Sequence, residues 1–329
     1  MRLTTVSIHR TTLATVILAL VLAGCSGEED PDPTGPAGGQ EPSEFVMIPG
    51  GTFTMGSPPN EPGRLTDETQ HAVTLTTQIE MWSTEVTNQQ YAALAQWAYD
   101  NGHCTATSAV LRDALDGSTQ KLLELDDPDS EIAFSGSTFA VDMGMENHPV
   151  LEVTWYGAVA YCDWLSLREG LPRAYDHATW QCNGNNPYGA VGYRLPTEAE
   201  WEHACRAGST TAFANGEITN TSCDDPVLDE IGWYCGDAEG WTHPVARLIS
   251  NAWGLYDLHG NLLEWCNDWY GSYGGAVTDP VGPATEDYRV ARGGSWRDDA
   301  GECRSADRYN DAPGGSDFDI GFRPVRSIN

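Results

Sequence analysis

The chain has 329 residues, of which 48 are acidic and 17 are Lys or Arg, and its formal net charge is −31. That balance excludes general nucleic-acid binding, which needs concentrated cations against phosphate. A hydrophobic content of 40% with 12 Trp, 13 Tyr and 7 Phe excludes a disordered chain, and nine Cys point to an oxidising compartment.

Arg2, His9 and Arg10 precede an apolar stretch over residues 11–22. It is too short to span a ~30 Å hydrocarbon core securely and has the size of a secretory h-region. It ends in Leu22-Ala23-Gly24-Cys25, which resembles a bacterial lipobox. The resemblance implies a leader over 1–24, lipidation of Cys25 and an exported bacterial lipoprotein. Ser26 follows the Cys, with no Asp to hold the chain at the inner membrane, so the outer membrane is the expected site. Residues 25–44 carry Pro31, Pro33, Pro36, Pro42 and six acids without apolar periodicity, which predicts a disordered tether. Composition changes at Phe45, and no second linker follows, so 45–329 is expected to be one domain.

Phe45-Val46-Met47-Ile48 and Thr52-Phe53-Thr54-Met55 flank Pro49-Gly50-Gly51, a hairpin pattern. His71-Ala72-Val73-Thr74-Leu75 alternates like a strand. Thr87 and Gln90 have capping-box spacing and open a predicted helix carrying Tyr91, Leu94 and Trp97. Residues 101–150, with an acidic run over 124–131, are expected to form a surface insertion whose acids are a solvated loop rather than a metal site. Val159, Cys162 and Leu165 set a helical period over 154–168. Thr197 and Glu200 form a second capping box, opening a helix through Arg206. Cys223 and Cys235 lie 12 apart across a loop and are the first expected disulfide.

Several motifs occur together. They are Phe45-Val-Met-Ile-Pro-Gly-Gly-Thr-Phe-Thr-Met-Gly-Ser57, Thr84-Glu-Val-Thr-Asn-Gln-Gln-Tyr91, His148-Pro-Val150 and Tyr193-Arg-Leu-Pro-Thr-Glu-Ala-Glu-Trp-Glu202. Asn251-Ala-Trp-Gly-Leu-Tyr-Asp257, Gly260-Asn261, Glu264-Trp265, Arg292-Gly-Gly-Ser-Trp296 and Gly321-Phe-Arg323 follow. Together they resemble the formylglycine-generating-enzyme family, also called the sulfatase-modifying-factor family. The resemblance implies an irregular, loop-rich α+β fold related to C-type lectins.

The family's oxidases convert a sulfatase Cys to formylglycine with copper and oxygen. Two Cys five residues apart, just after the Gly-Gly-Ser segment, hold Cu(I) between soft thiolates. Here Asp298 stands at the first of these positions. Cys303 stands at the second if no gap is placed; aligned backward from Arg308, it matches neither. Leu263 replaces the family's active-site Trp, and Ser295 remains. Copper chemistry is therefore expected to be lost. If it is retained, Cys303 and Ser295 are the catalytic candidates, and an exported sulfatase is the substrate. The His-x-x-x-His-x-Glu pattern of the family's iron enzymes is absent, and His71, His148 and His243 are expected to be structural.

The resemblance further implies structural calcium on the carboxylates of Asp257 and Glu264 and the carbonyls of Gly260 and Leu262. Calcium takes oxygen ligands, and a Gly turn frees carbonyls to face it. It also pairs Cys205 with Cys303 and leaves Cys162 facing Pro324 where its partner should stand; Cys104, Cys182 and Cys266 are unassigned. After Trp296, residues Arg297, Asp298, Asp299, Glu302, Asp307, Tyr309 and Asn310 alternate with scaffold residues Ala300, Cys303, Ser305 and Arg308. The pattern resembles the variable ligand-binding face of lectin-like proteins. It implies a membrane-anchored binding or accessory protein with a protein or glycan ligand.

Overall fold

A computed structural model describes residues 45–328. The leader, Cys25 and the tether expected over 1–44 lie outside the described residues. Among the described residues, three α-helices and many short strands make an α+β domain, and no described helix is long and apolar enough to cross a membrane.

Each helix starts where its cap places it. Helix α1 (Asn88–Asp100) opens on Thr87, with reciprocal Thr87 and Gln90 bonds, and buries Tyr91, Leu94 and Ala98. Helix α2 (Trp155–Arg168) opens on Thr154, whose hydroxyl accepts the Gly157 N–H and donates to the Lys121 carbonyl at 2.7 Å. Helix α3 (Glu198–Arg206) opens on the Thr197–Glu200 capping box. Each cap satisfies N–H groups that the first helical turn leaves without partners.

The expected hairpin at 45–55 does not form. Phe45–Ile48 pairs antiparallel with Gln78–Trp82, in a four-stranded sheet completed by Val325–Ile328 and Tyr193–Arg194. Gly51–Met55 pairs instead with His71–Leu75, in a sheet that also takes Val277–Thr278. A Cβ at Gly50 would lie 2.8 Å from the Leu75 carbonyl, so the Pro-Gly-Gly segment carries the chain between sheets rather than closing a turn.

Residues 101–150 are also more than a surface insertion. They form a three-stranded sheet (Cys104–Ala106, Val110–Asp113, Lys121–Glu124) and a hairpin (Ile132–Ser135, Thr138–Val141). Leu111, Leu122, Leu123, Ile132, Phe134 and Phe139 are buried in the main core with α1 and α2. The alternation in each strand is short, and polar turns interrupt it, so the apolar faces register only when the strands pair.

A sheet ordered Tyr309–Asp311, Arg289–Arg292, Leu263–Trp269, Ile320–Gly321 carries the candidate site. Trp265 of this sheet is fully buried, as are Trp155, Trp164 and Trp201. Trp155 Nε1 donates to the Cys266 carbonyl at 2.8 Å, and Trp265 Nε1 to Val153 at 3.1 Å, which lock α2 to this sheet.

Away from that sheet, His177 is buried between two carboxylates, with Nδ1 2.8 Å from Asp113 and Nε2 3.1 Å from Asp163. Burial alone would lower its pKa, but the two carboxylates outweigh it and hold the ring up at about 9. The folded pKa therefore exceeds the unfolded value of about 6.5. The resulting stability is complete below pH 6.5 and is lost as pH rises through 9. We expect the melting temperature to fall between pH 7 and 9.5 in the wild type and markedly less in His177→Gln; equal slopes in scanning calorimetry would refute the charge pairing.

Candidate functional site

Strand Arg289–Arg292 delivers Gly293 and Gly294, both at positive φ, into a tight turn. A Cβ at Gly294 would lie 2.6 Å from Cys303 Sγ, so the paired glycines let the Ser295 segment pass against that thiol. Ser295 is buried, and its N–H and Oγ both donate to Asp298 Oδ2, at 2.9 and 2.7 Å. Asp298 in turn accepts the Cys235 N–H on its carbonyl at 3.0 Å. The Asp298 carboxylate thus closes a turn. Burial raises its pKa despite the Ser295 bonds that favour its charge.

Cys303 is fully buried beside Phe213, Tyr234 and Ala300, and its carbonyl accepts His259 Nδ1–H at 2.8 Å. Burial first, then the nearby Asp298 and Asp307 charges, push its thiol far above the ordinary range. Leu263 is buried in the apolar core. The structure brings Ser295, Asp298 and Cys303 together, but in a turn whose Ser295 and Cys303 side chains are buried.

Of the expected binding face, Arg297, Glu302 and Tyr309 are exposed, and Asp298, Asp299 and Asn310 are half-buried. Asp307 departs from the expectation: it is buried, with Oδ1 3.3 Å from Arg304 Nη2. Arg304, fully buried, requires it. That guanidinium also binds Glu68 through both terminal nitrogens, at 2.7 and 2.8 Å, Glu61 at 2.8 Å, and the carbonyls of Gly63 and Gly301. Alternation alone could not show that this arginine turns inward. Arg297 lies over the Phe318 ring at 5.1 Å and 3.5 Å from Asp319.

In the 257–264 loop, Asp257 sits at φ +59°. Its Oδ2 accepts the Ala246 N–H at 2.8 Å, while its buried Oδ1 has no partner among the described residues. Burial pushes its pKa up to about 6. Glu264 is engaged: Arg323 reaches it at 2.6 and 2.7 Å, and Trp201 Nε1 donates at 2.8 Å. Glu85 joins this cluster unforeseen, accepting the Leu262 N–H and Asn261 Nδ2, both at 3.1 Å. It lies in the Thr84–Tyr91 motif, which signalled the family but not this role. Three buried carboxylates therefore face one guanidinium. That excess of negative charge and the orphaned Asp257 oxygen fit a hard divalent cation, although Glu264 already serves Arg323.

The disulfide among the described residues joins Cys223 and Cys235, with Cα atoms 5.2 Å apart. Cys205 and Cys303 are not joined. Instead Cys205 Sγ lies 3.4 Å from His259 Nε2, and burial lowers that ring's pKa to about 4, which keeps it neutral. Cys104, Cys162, Cys182 and Cys266 are free and buried. His148 Nδ1 lies 2.8 Å from Thr242 Oγ1, His243 stacks on Trp233 at 3.7 Å, and His71 Nδ1 binds the Thr69 carbonyl at 2.9 Å. In the acidic run, Asp127 and Asp129 approach buried Glu152, with carboxylate oxygens within 4.8 Å.

The profile of the sulfatase-modifying factor enzyme 1-like domain matches residues 32–328. A formylglycine-generating enzyme of Streptomyces coelicolor is 30% identical over 84% of this chain and 87% of its own length. Serine/threonine-protein kinase pkn1 of Chlamydia caviae is 30% identical over 87% of this chain, which spans 38% of that relative's length. The chaperone protein LppX of Paenibacillus barcinonensis is 30% identical over 55% of this chain and 71% of its own. Among solved structures, Treponema denticola variable protein 1 superposes with a TM-score of 0.64 at 25% identity, covering 86% of this chain and 95% of its own. PvdO from Pseudomonas aeruginosa gives 0.63 at 24%, over 88% of this chain and all of its own.

Proposed function

Because the chain belongs to the family of sulfatase-modifying factor enzyme 1-like domains, we propose that it uses that scaffold as a binding or accessory protein rather than as a copper oxidase. One observation carries this reading: the position that should offer a first thiolate holds Asp298, whose carboxylate is committed to Ser295. A carboxylate is a hard ligand and suits Cu(I) poorly. Cys303, which is closed to solvent and strongly disfavours the thiolate, is an equally poor second ligand. The relative named as a chaperone supports an accessory role. In this reading the lipid on Cys25 holds the protein at the outer membrane, and the face containing Arg297, Glu302 and Tyr309 contacts a protein or glycan ligand.

The second reading, formylglycine formation in an exported sulfatase, is favoured by the formylglycine-generating relatives. The two separate cleanly. Copper-supplied protein is expected to leave a Cys-x-Pro-x-Arg peptide unchanged by mass spectrometry. Oxygen-dependent conversion of the peptide thiol to an aldehyde, lost in Cys303→Ser, would establish the oxidase instead.

The same scaffold reading places structural calcium on Asp257, the carbonyls of Gly260 and Leu262, and Glu264, which would share its carboxylate with Arg323. Bound calcium supplies the positive charge that the cluster lacks. A ligand specific to the folded state stabilises by about 3–4 kcal/mol at 100–1,000 times its Kd. Chelation should therefore lower the melting temperature by several degrees, at ~2 °C per kcal/mol for a domain of this size. Asp257→Asn tells an ion from a turn. With calcium present it should lose stability and its response to chelator. Without an ion it should gain stability at neutral pH, because it removes a buried carboxylate whose raised pKa makes the charged form unfavourable.

A further inference from the structure

Residues in 271–283 and the start of α3 line an open cleft of about 650 Å3. Volumes of this size hold whole organic ligands rather than single ions. Its walls are apolar and aromatic: Met55, Val277, Val281 and a ring pair of His71 and Tyr273 with centroids 4.7 Å apart.

The charges around the cleft are unequal. Arg308 lines it, but its Nε and Nη2 grip both oxygens of Glu198 at 2.6 and 2.9 Å, and its guanidinium lies 3.9 Å over Tyr273. The cation is thereby neutralised. Asp279 binds the N–H and hydroxyl of Thr76. Asp268 is different. It lines the cleft at 3% exposure, its Oδ2 accepts the Glu198 N–H at 2.9 Å, and no donor among the described residues reaches its Oδ1. Gly282 leaves that oxygen uncovered, since a Cβ there would sit 3.1 Å from it. Exposed Glu286 adds a second carboxylate to the lining.

We propose that this cleft binds a small organic amine, with its ammonium against Asp268 Oδ1 and its apolar body along Val277, Val281 and the His71–Tyr273 pair. An anion would meet Asp268 and Glu286, and among the described residues the arginine that lines the cleft is already held by Glu198. A neutral apolar guest would leave the Asp268 oxygen buried without a partner, which is costly. Burial, then the charges of Glu198 and Glu200 from α3, push the Asp268 carboxyl up to about 8 against the opposing pull of Arg289. That is the condition of a carboxylate lacking its counter-ion, and an ammonium would relieve it. The inference does not rest on the role assigned to the 297–310 segment.

The test is calorimetric titration of the full chain with three probes of one shape: phenethylamine, hydrocinnamate and phenethyl alcohol. The amine should bind, and the carboxylate and alcohol should bind at least about tenfold more weakly, as expected for one charged hydrogen bond. Asp268→Asn should weaken the amine about tenfold or more while leaving the alcohol unaffected. Ala276→Trp, an exposed change on the cleft loop, should block all three and leaves the test intact if Asp268→Asn fails to fold. Amine binding absent up to about 10 mM, equal affinity for the three probes, or amine affinity unchanged in either folded variant would overturn the assignment.

Discussion

Arg304→Met is expected to cost about 3–5 kcal/mol, the range for removing one partner from a buried ionic cluster. For a domain of this size that is roughly 10 °C in melting temperature. The guanidinium is fully buried and serves Glu61, Glu68 and Asp307 together with two carbonyls. Met fills similar volume but strands Glu68, and it removes the cation from Glu61 and Asp307, which burial already holds above the ordinary range. The pH profile should identify the cause. In the wild type, burial would raise Glu68, but the Arg304 bonds and the Ser57 hydroxyl prevail and hold its pKa below the ordinary value. That stability is present at neutral pH and is lost as pH falls through the depressed pKa. Without Arg304 the same carboxyls titrate upward, so the deficit should narrow as pH drops from 7 to 4.5. A constant deficit across that range in denaturant titrations would mean that packing, not charge, is what Arg304 supplies.

The second large effect is at Gly157. On helix propensity alone, Gly→Ala inside α2 should stabilise by about 1 kcal/mol. Here it should destabilise by about 3 kcal/mol or prevent folding, because a Cβ would lie 2.0 Å from the Leu122 carbonyl. The first turn of α2 lies flush on strand Lys121–Glu124, and Thr154 bonds the Lys121 carbonyl beside it. Neither backbone can withdraw without breaking the cap. Ala158→Gly, one residue on, should cost about 2 kcal/mol, about 1 from helix propensity and about 1 from the lost buried methyl. Soluble Gly157→Ala protein with wild-type stability in guanidinium would show that the strand yields.

How much was legible beforehand follows the range of the interactions. Capping boxes are local, four residues wide, and place the starts of α1 and α3 to the residue. Strand partners are not local. Phe45–Ile48 and Gly51–Met55 look like a hairpin in isolation, yet their partners, Gln78–Trp82 and His71–Leu75, lie further along the chain. The acidic run at 124–131 drew attention to the solvated side of its segment and away from Leu122, Leu123, Ile132 and Phe134, which enter the core. In the candidate site, position within a motif picks out Ser295, Asp298 and Cys303, but not the burial of Ser295 and Cys303. Asp307 was misplaced because its orientation is set by Arg304, which in turn answers Glu61 and Glu68 across more than 200 residues of chain. Glu85, Asp268 and His177 were missed for the same reason: each takes its meaning from groups distant in sequence.

The ionic core has a counterpart at the surface. Arg194, Arg206, Arg289, Arg292, Arg304, Arg308 and Arg323 are all interior, out of only 17 Lys and Arg in the whole chain. Fourteen carboxylates are buried with them, yet among the described residues the remaining acids still far outnumber the remaining cations, so the exterior carries net negative charge. Within a Debye length of about 8 Å at physiological salt, its field repels anionic polymers and draws in cationic solutes. Association of a positively charged partner should therefore be fast in dilute buffer and slow steeply as salt is added, while its dissociation rate changes little.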